Sequence, residues 1–218
     1  MVRTRPLYVM VSQTDTGIAR MIRTVTHYPY NHVSVTLDPS LGSWYSFARY
    51  IQDAPFYGGF IRETPARLLG RRGNTQVRIF RVDIPEDSAK KLESLLPLAS
   101  RLDSGLIYNH FDAAASALGC RVPVPGCHTC LSFACSILDR EFRTIRELCE
   151  ALSPWVFYEG PLCHLSLPAE TEADLYFSQI GLLRGSGHSA ALLGLLTFRT
   201  LCHGFNSYKA HRFHRTAL

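Results

Sequence analysis

A chain of 218 residues, 46% hydrophobic and 19% charged, is too apolar to be disordered and long enough to bury a core without disulfide staples. The net charge of +5 lies entirely at one end: no acidic residue follows Asp174, while Arg184, Arg199, Lys209, Arg212 and Arg215 do, so residues 1–174 are formally neutral. That placement excludes a general nucleic-acid-binding surface and leaves only a basic tail. The seven cysteines are odd in number. The first ten residues run straight into a strand-like segment with no apolar signal region, so reduced thiols and a cytoplasmic location are expected.

In chain order, residues 7–12 read as a buried strand. Ile18, Met21, Ile22 and Val25 have helical spacing and predict a short helix over 18–26. Residues 32–37 alternate: His32, Ser34 and Thr36 on one face, Val33, Val35 and Leu37 on the other. Residues 38–42 make a hairpin loop and 44–47 the returning strand. Ser46 can then lie beside His32 on one face, with Ser43 a poorer candidate.

A glycine-containing loop over 54–63 leads to a short strand, and 75–82 is an alternating strand. A helix starts at Pro85, with Glu86 and Asp87 in its first turn, and runs to about 98. Another spans 109–118. After the loop 121–126, Leu131, Ala134, Cys135 and Leu138 mark the buried face of a helix reaching about 141, with Thr129 as its N-cap. A short helix follows at 145–152, then extended segments at 155–158 and 162–167. Residues 172–183 read as helical, 184–188 as a flexible break and 190–202 as an apolar helix.

This order places Cys130 in the first turn of a helix, where free N–H groups and the positive dipole end favour a thiolate. A cysteine nucleophile needs a base, and the base a polar group that sets its tautomer. His32 and Ser46 supply both if that helix packs on the hairpin. Spacing alone leaves open that His32 is a structural strand histidine. Cys127-His128-Thr129-Cys130 is also a CxxC, but the remaining pairs, Cys163-His164 and Cys202-His203, lack the spacing of a second zinc-ligand pair.

Tyr30-Asn-His-Val-Ser-Val-Thr-Leu-Asp38, Trp44-Tyr-Ser-Phe47, Gly58-Gly-Phe60 and Cys130-Leu-Ser-Phe-Ala134 together resemble the circularly permuted branch of the NlpC/P60 papain-like hydrolases, which includes the YiiX-like proteins. In that group a strand histidine precedes the cysteine. The resemblance covers roughly residues 5–165. It implies an α+β fold with a central antiparallel sheet against the nucleophile helix. It further implies Cys130 as nucleophile, His32 as base and Ser46 at the orienting position, where this group normally carries His, Glu or Gln. Tyr108 corresponds to a tyrosine that some relatives place near the oxyanion; a partly buried helix-start aromatic fits it as well.

The expectations are a permuted NlpC/P60-like domain over 1–170 and a helical basic extension over 171–218. The function is expected to be a cysteine hydrolase of the peptidase or amidase type acting on an amide, ester or thioester, with no cofactor and no metal. The alternatives are an acyltransferase and a non-catalytic binding domain on the same scaffold. Expected partners are a peptide, amide or acyl substrate and no nucleic acid. The basic tail suits a peripheral membrane or protein contact, or simple docking on the domain.

Overall fold

The computed structural model describes residues 3–14, 23–24, 26–52, 54, 56–69, 73–116, 120–168, 174–177 and 182–216, the side chains of 116, 175, 182–185 and 204–216 excepted. Among these, one eight-stranded sheet carries the fold. Its strands are β1 (Thr4–Ser12), β2 (His32–Thr36), β3 (Trp44–Arg49), β4 (Gly58–Glu63), β5 (Gln76–Pro85), β6 (Ile107–Tyr108), β7 (Cys127–His128) and β8 (Val156–Pro161). They lie in the order β7-β6-β4-β3-β2-β1-β5-β8, antiparallel throughout except for the β6–β7 pair.

The interior strand β1 explains why both faces are covered. Leu7, Val9 and Val11 point one way and Tyr8 and Met10 the other, and all five are buried. The first face joins Val33, Val35, Phe47, Phe60 and Phe80. It is covered by α2 (Glu86–Leu95) through Ala89 and Leu92, and by α4 (Cys130–Leu138) through Leu131, Phe133, Ala134 and Ile137. Phe133 wedges between Phe47 and Phe60, with ring centroids 5.4 and 5.1 Å away. The opposite face gathers Tyr8, Met10, Trp44, Val77 and Ile79 under Leu41, Leu162 and Leu68, the last from α1 (Pro65–Leu69). The helices α3 (His110–Ser116) and α5 (Ile145–Ala151) lie in the connections on either side of α4, and α6 (Leu182–Thr216) closes the chain. The architecture is α+β, as expected.

Several elements differ from the sequence reading. The segment 184–188 is not a break: α6 runs through it. Gly187 faces open space there, and a glycine costs a helix only about 1 kcal/mol. Burial of Leu196 against Ile107, Val124 and Cys127 offsets that. α4 stops at Leu138 rather than near 141, because Asp139 turns left-handed with φ 53°. The helix expected from 109 starts at His110; Asn109 caps it, its Oδ1 accepting from the Asp112 N–H at 2.9 Å. Residues 162–167 open on a 3-10 turn, Leu162–His164, instead of continuing extended. Of the helix expected over 172–183, Leu175–Phe177 forms a 3-10 turn pinned by Asp174 Oδ1 accepting from the Tyr176 N–H, residues 182–183 begin α6, and 172–173 and 178–181 lie outside the described residues. Most of the helix expected over 18–26 lies outside the described residues. No helix among the described residues is long and apolar enough to cross a membrane.

Candidate active site

Cys130 is the first residue of α4. β7 leads into it, tied to β6 by Ile107 opposite Cys127 and Tyr108 opposite His128. Gly126, at φ 70°, supplies the left-handed turn that starts this approach. Thr129 caps the helix reciprocally with Ser132. Its Oγ1 accepts from the Ser132 N–H at 3.0 Å, and Ser132 Oγ accepts from the Thr129 N–H at 2.8 Å. The N–H groups of Cys130 and Leu131, in the first turn of the helix, have no acceptor within it. The loop before β7 is pinned by buried polar groups: Asn109 donates from its side chain to Val122 O, and Asp112 Oδ1 accepts from Arg121 Nε and the Val122 N–H.

His32 opens β2 and Ser46 lies in β3, with Val35 opposite Tyr45 between the two strands. Toward the His32 end the hairpin is bridged by side chains: Ser46 Oγ is 3.3 Å from His32 Nε2. A closer partner comes from the next strand. Glu63, the last residue of β4, stands opposite Trp44 of β3 and reaches across to His32, placing its two carboxylate oxygens 2.9 and 3.0 Å from Nε2. Ser34 donates a further hydrogen bond to Oε2 of the same carboxylate. With Nε2 committed to the carboxylate, Nδ1 is the ring nitrogen left for the Cys130 sulfur, which lies close enough to raise the ring's proton affinity. The expected Cys130, His32 and Ser46 therefore do come together, and Glu63 joins them as the nearer partner of the imidazole.

The electrostatics follow from burial. His32 keeps 8% of its surface exposed and Glu63 3%. Burial alone would push the imidazole toward neutrality, but the Glu63 carboxylate and the Cys130 sulfur outweigh it, and the ring is pushed up to about 10. Burial would likewise favour a neutral Glu63. Charge and hydrogen bonding from His32, then Arg67, hold it ionised, down to about 2. His110 and His128, by contrast, are pushed down by burial. Of these three, only His32 is held as a cation.

Tyr108 sits in β6 beside this group. Burial raises its phenol, and the nearby Cys130 sulfur adds to the rise. Its ring packs on His110, with centroids 4.7 Å apart. Cys127 lies apart from the imidazole. It packs with Ile107, Val124 and Leu196, its sulfur 3.7 Å from an Arg199 guanidinium nitrogen. A cavity of 480 Å³ beside it is lined by Cys127, His128 and Ser132 among others, with neither Cys130 nor His32 in its wall. Among the described residues no three His, Cys, Asp or Glu side chains form a group that could hold a metal ion.

No family model, curated protein or solved structure matches this chain. The site is therefore read from its own geometry.

Glu63 is the residue that the sequence reading missed. Its signal was present but faint: a lone acid ending the run Gly58-Gly-Phe-Ile-Arg-Glu63. Counting by twos puts it on the face of Ile61, but only the register with β3 carries that face to His32.

Proposed function

We propose that the protein is a cysteine hydrolase of papain-like, permuted NlpC/P60 design, acting on an amide, ester or thioester through Cys130, His32 and Glu63. The observation that carries the reading is the buried chain from carboxylate to imidazole to a thiol at a helix N-terminus. A thiol beside a cationic, carboxylate-anchored imidazole is what nucleophilic acyl transfer requires. Glu63 supplies the charged orienting group that a serine at position 46 does not, which favours the catalytic reading over a non-catalytic binding domain on the same scaffold.

The Cys130 sulfur attacks the carbonyl carbon, forming the S–C bond, with the proton of the sulfur–imidazole pair already resting on the His32 imidazolium. The oxyanion develops against the Cys130 backbone N–H at the start of α4. Collapse breaks the bond to the leaving group, which departs with the proton from His32. Water then adds to the acyl-cysteine and gives its proton to His32; the acid leaves and the sulfur–imidazolium pair is restored. An acceptor alcohol or amine in place of water makes the same site an acyltransferase.

Incubation with a p-nitrophenyl ester, followed by intact mass and peptide mapping, tests this. The expected result is a single acyl group on Cys130, absent in Cys130→Ala and formed about 10²-fold or more slowly in His32→Ala. Acyl groups only on exposed cysteines such as Cys163, unchanged by Cys130→Ala, would overturn it.

A further inference from the structure

We infer that Arg67 is a positioning residue for the Glu63–His32 pair, and that the Asp174–Tyr176 turn holds Arg67 in place. The inference rests on the reading of His32 as the base of the site.

Glu63 is the last residue before the bend from β4 into α1, and Arg67 lies one helical turn further on. The Arg67 side chain is 7% exposed, and its guanidinium is engaged on several sides. Nε lies 3.8 Å from Glu63 Oε1, Nη1 lies 3.5 Å from Asp174 Oδ1, and Nη2 donates to the Arg49 carbonyl. The Tyr176 ring covers its face, 4.2 Å from ring centroid to Cζ.

The turn that carries Asp174 and Tyr176 is itself fastened. Thr64 Oγ1 donates to Asp174 Oδ2 at 2.9 Å, and the Gln52 N–H donates to the Tyr176 carbonyl at 3.0 Å. Arg49 Nη2 lies 3.4 Å from the Tyr176 hydroxyl. The carboxylate of Glu63 is thus gripped from two sides, by Ser34 on Oε2 and by Arg67 beside Oε1, while both oxygens face His32. A planar fork fixed on several edges sets a carboxylate's orientation better than a flexible ammonium does. Residues from the C-terminal segment therefore reach the site through two side chains, without touching the sulfur.

The charged and titratable groups around this pair are Cys130 facing His32, Arg67 facing Glu63, and Asp174, Arg49 and Tyr176 facing Arg67. The direction of the response separates positioning from simple charge. Arg67 is a cation near an imidazolium, so deleting its charge alone would raise the proton affinity of His32. Releasing the carboxylate from its alignment would lower it.

The test is the His32 titration followed by NMR in the full chain, on a Cys130→Ala background so that the thiol does not contribute. Arg67→Met and Arg67→Lys are each expected to lower the proton affinity of His32 about tenfold or more. Asp174→Asn, which leaves Arg67 in place but unfastened, should shift it in the same direction by less. Near-UV circular dichroism establishes that each variant is folded; should Arg67→Met fail to fold, the other two decide. An unchanged or raised affinity in folded variants would overturn the positioning role. Rapid acylation of Cys130 in the unmodified protein tests the catalytic reading separately. Its absence together with a lowered His32 affinity would sink that reading and leave the positioning intact.

Discussion

Replacing Glu63 with Gln is expected to slow alkylation of Cys130 at neutral pH by about 10²- to 10⁴-fold. Ser46→Ala is expected to cost less than about tenfold. Both side chains contact the same ring nitrogen, Ser46 at 3.3 Å and Glu63 at 2.9 and 3.0 Å, but only Glu63 brings charge. An amide keeps the size and one acceptor oxygen while removing what holds His32 cationic, so burial then pulls the ring toward neutrality.

The same substitution has a stability signature. The imidazole is raised from 6.5 to about 10, so its contribution is complete below pH 6.5 and is lost as pH rises toward 10. The carboxylate is lowered from 4.5 to about 2, so its contribution is complete above pH 4.5 and is lost as pH falls toward 2. The difference in Tm between the unmodified protein and Glu63→Gln should therefore be widest between pH 4.5 and 6.5 and shrink as pH rises from there. A difference that stays flat from pH 5 to pH 9 would mean that the pair is not ionised as described.

Gly59→Ala is the second large effect, and it acts on the frame rather than the chemistry. A Cβ on Gly59 would collide with the Tyr50 hydroxyl and the Leu106 carbonyl. Leu106 immediately precedes β6, and β6 pairs with β4 at Gly59 opposite Ile107. The tyrosine ring could turn aside, but the carbonyl is backbone, so β6 must move away from β4. The expected loss is about 3 kcal/mol, equivalent to a fall in Tm of about 6–12 °C for a chain of this size. Tyr108 and the β7 approach to Cys130 are carried on the displaced edge, so alkylation of Cys130 should fall along with stability. Gly187→Ala is the control: nothing lies within 4 Å of the added Cβ and the position is helical, so stability should hold or rise by about 1 kcal/mol. Thermal unfolding of the two variants side by side is the check. Equal melting temperatures for Gly59→Ala and the unmodified protein would refute the close packing of β4 on β6.

The hairpin and the cap were legible in the sequence because their signals are local. Alternation from His32 to Leu37 fixes a strand and its two faces, and Thr129 followed by the spacing of Leu131, Ala134 and Cys135 marks a helix start. These make His32, Ser46 and Cys130 candidates; their roles come from the resemblance to the permuted NlpC/P60 hydrolases. Glu63 was not legible, because its approach to His32 depends on the β3–β4 register across an intervening strand, and alternation carries no register information. Local pairing reaches only as far as the neighbouring strand, where the polar residue beside His32 is Ser46. The clasp of Arg67 by Asp174 and Tyr176 is more remote still, joining residues more than a hundred positions apart. The supposed break at 184–188 failed for the opposite reason. Glycine weakens a helix locally, but burial of Leu196 on Ile107, Val124 and Cys127 rewards the longer element, and propensity could not weigh that contact.

The most direct test of the Cys130–His32–Glu63 site is the rate of iodoacetamide alkylation, residue by residue, between pH 5 and pH 9. Cys163 is an exposed thiol in the same chain and serves as the internal reference. Cys130 is expected to react faster than Cys163 at pH 6 despite its burial, and to lose that advantage in His32→Ala. Should Cys130 lag behind Cys163 at every pH and ignore the loss of His32, the buried chain of carboxylate, imidazole and thiol would be structural and the catalytic reading wrong.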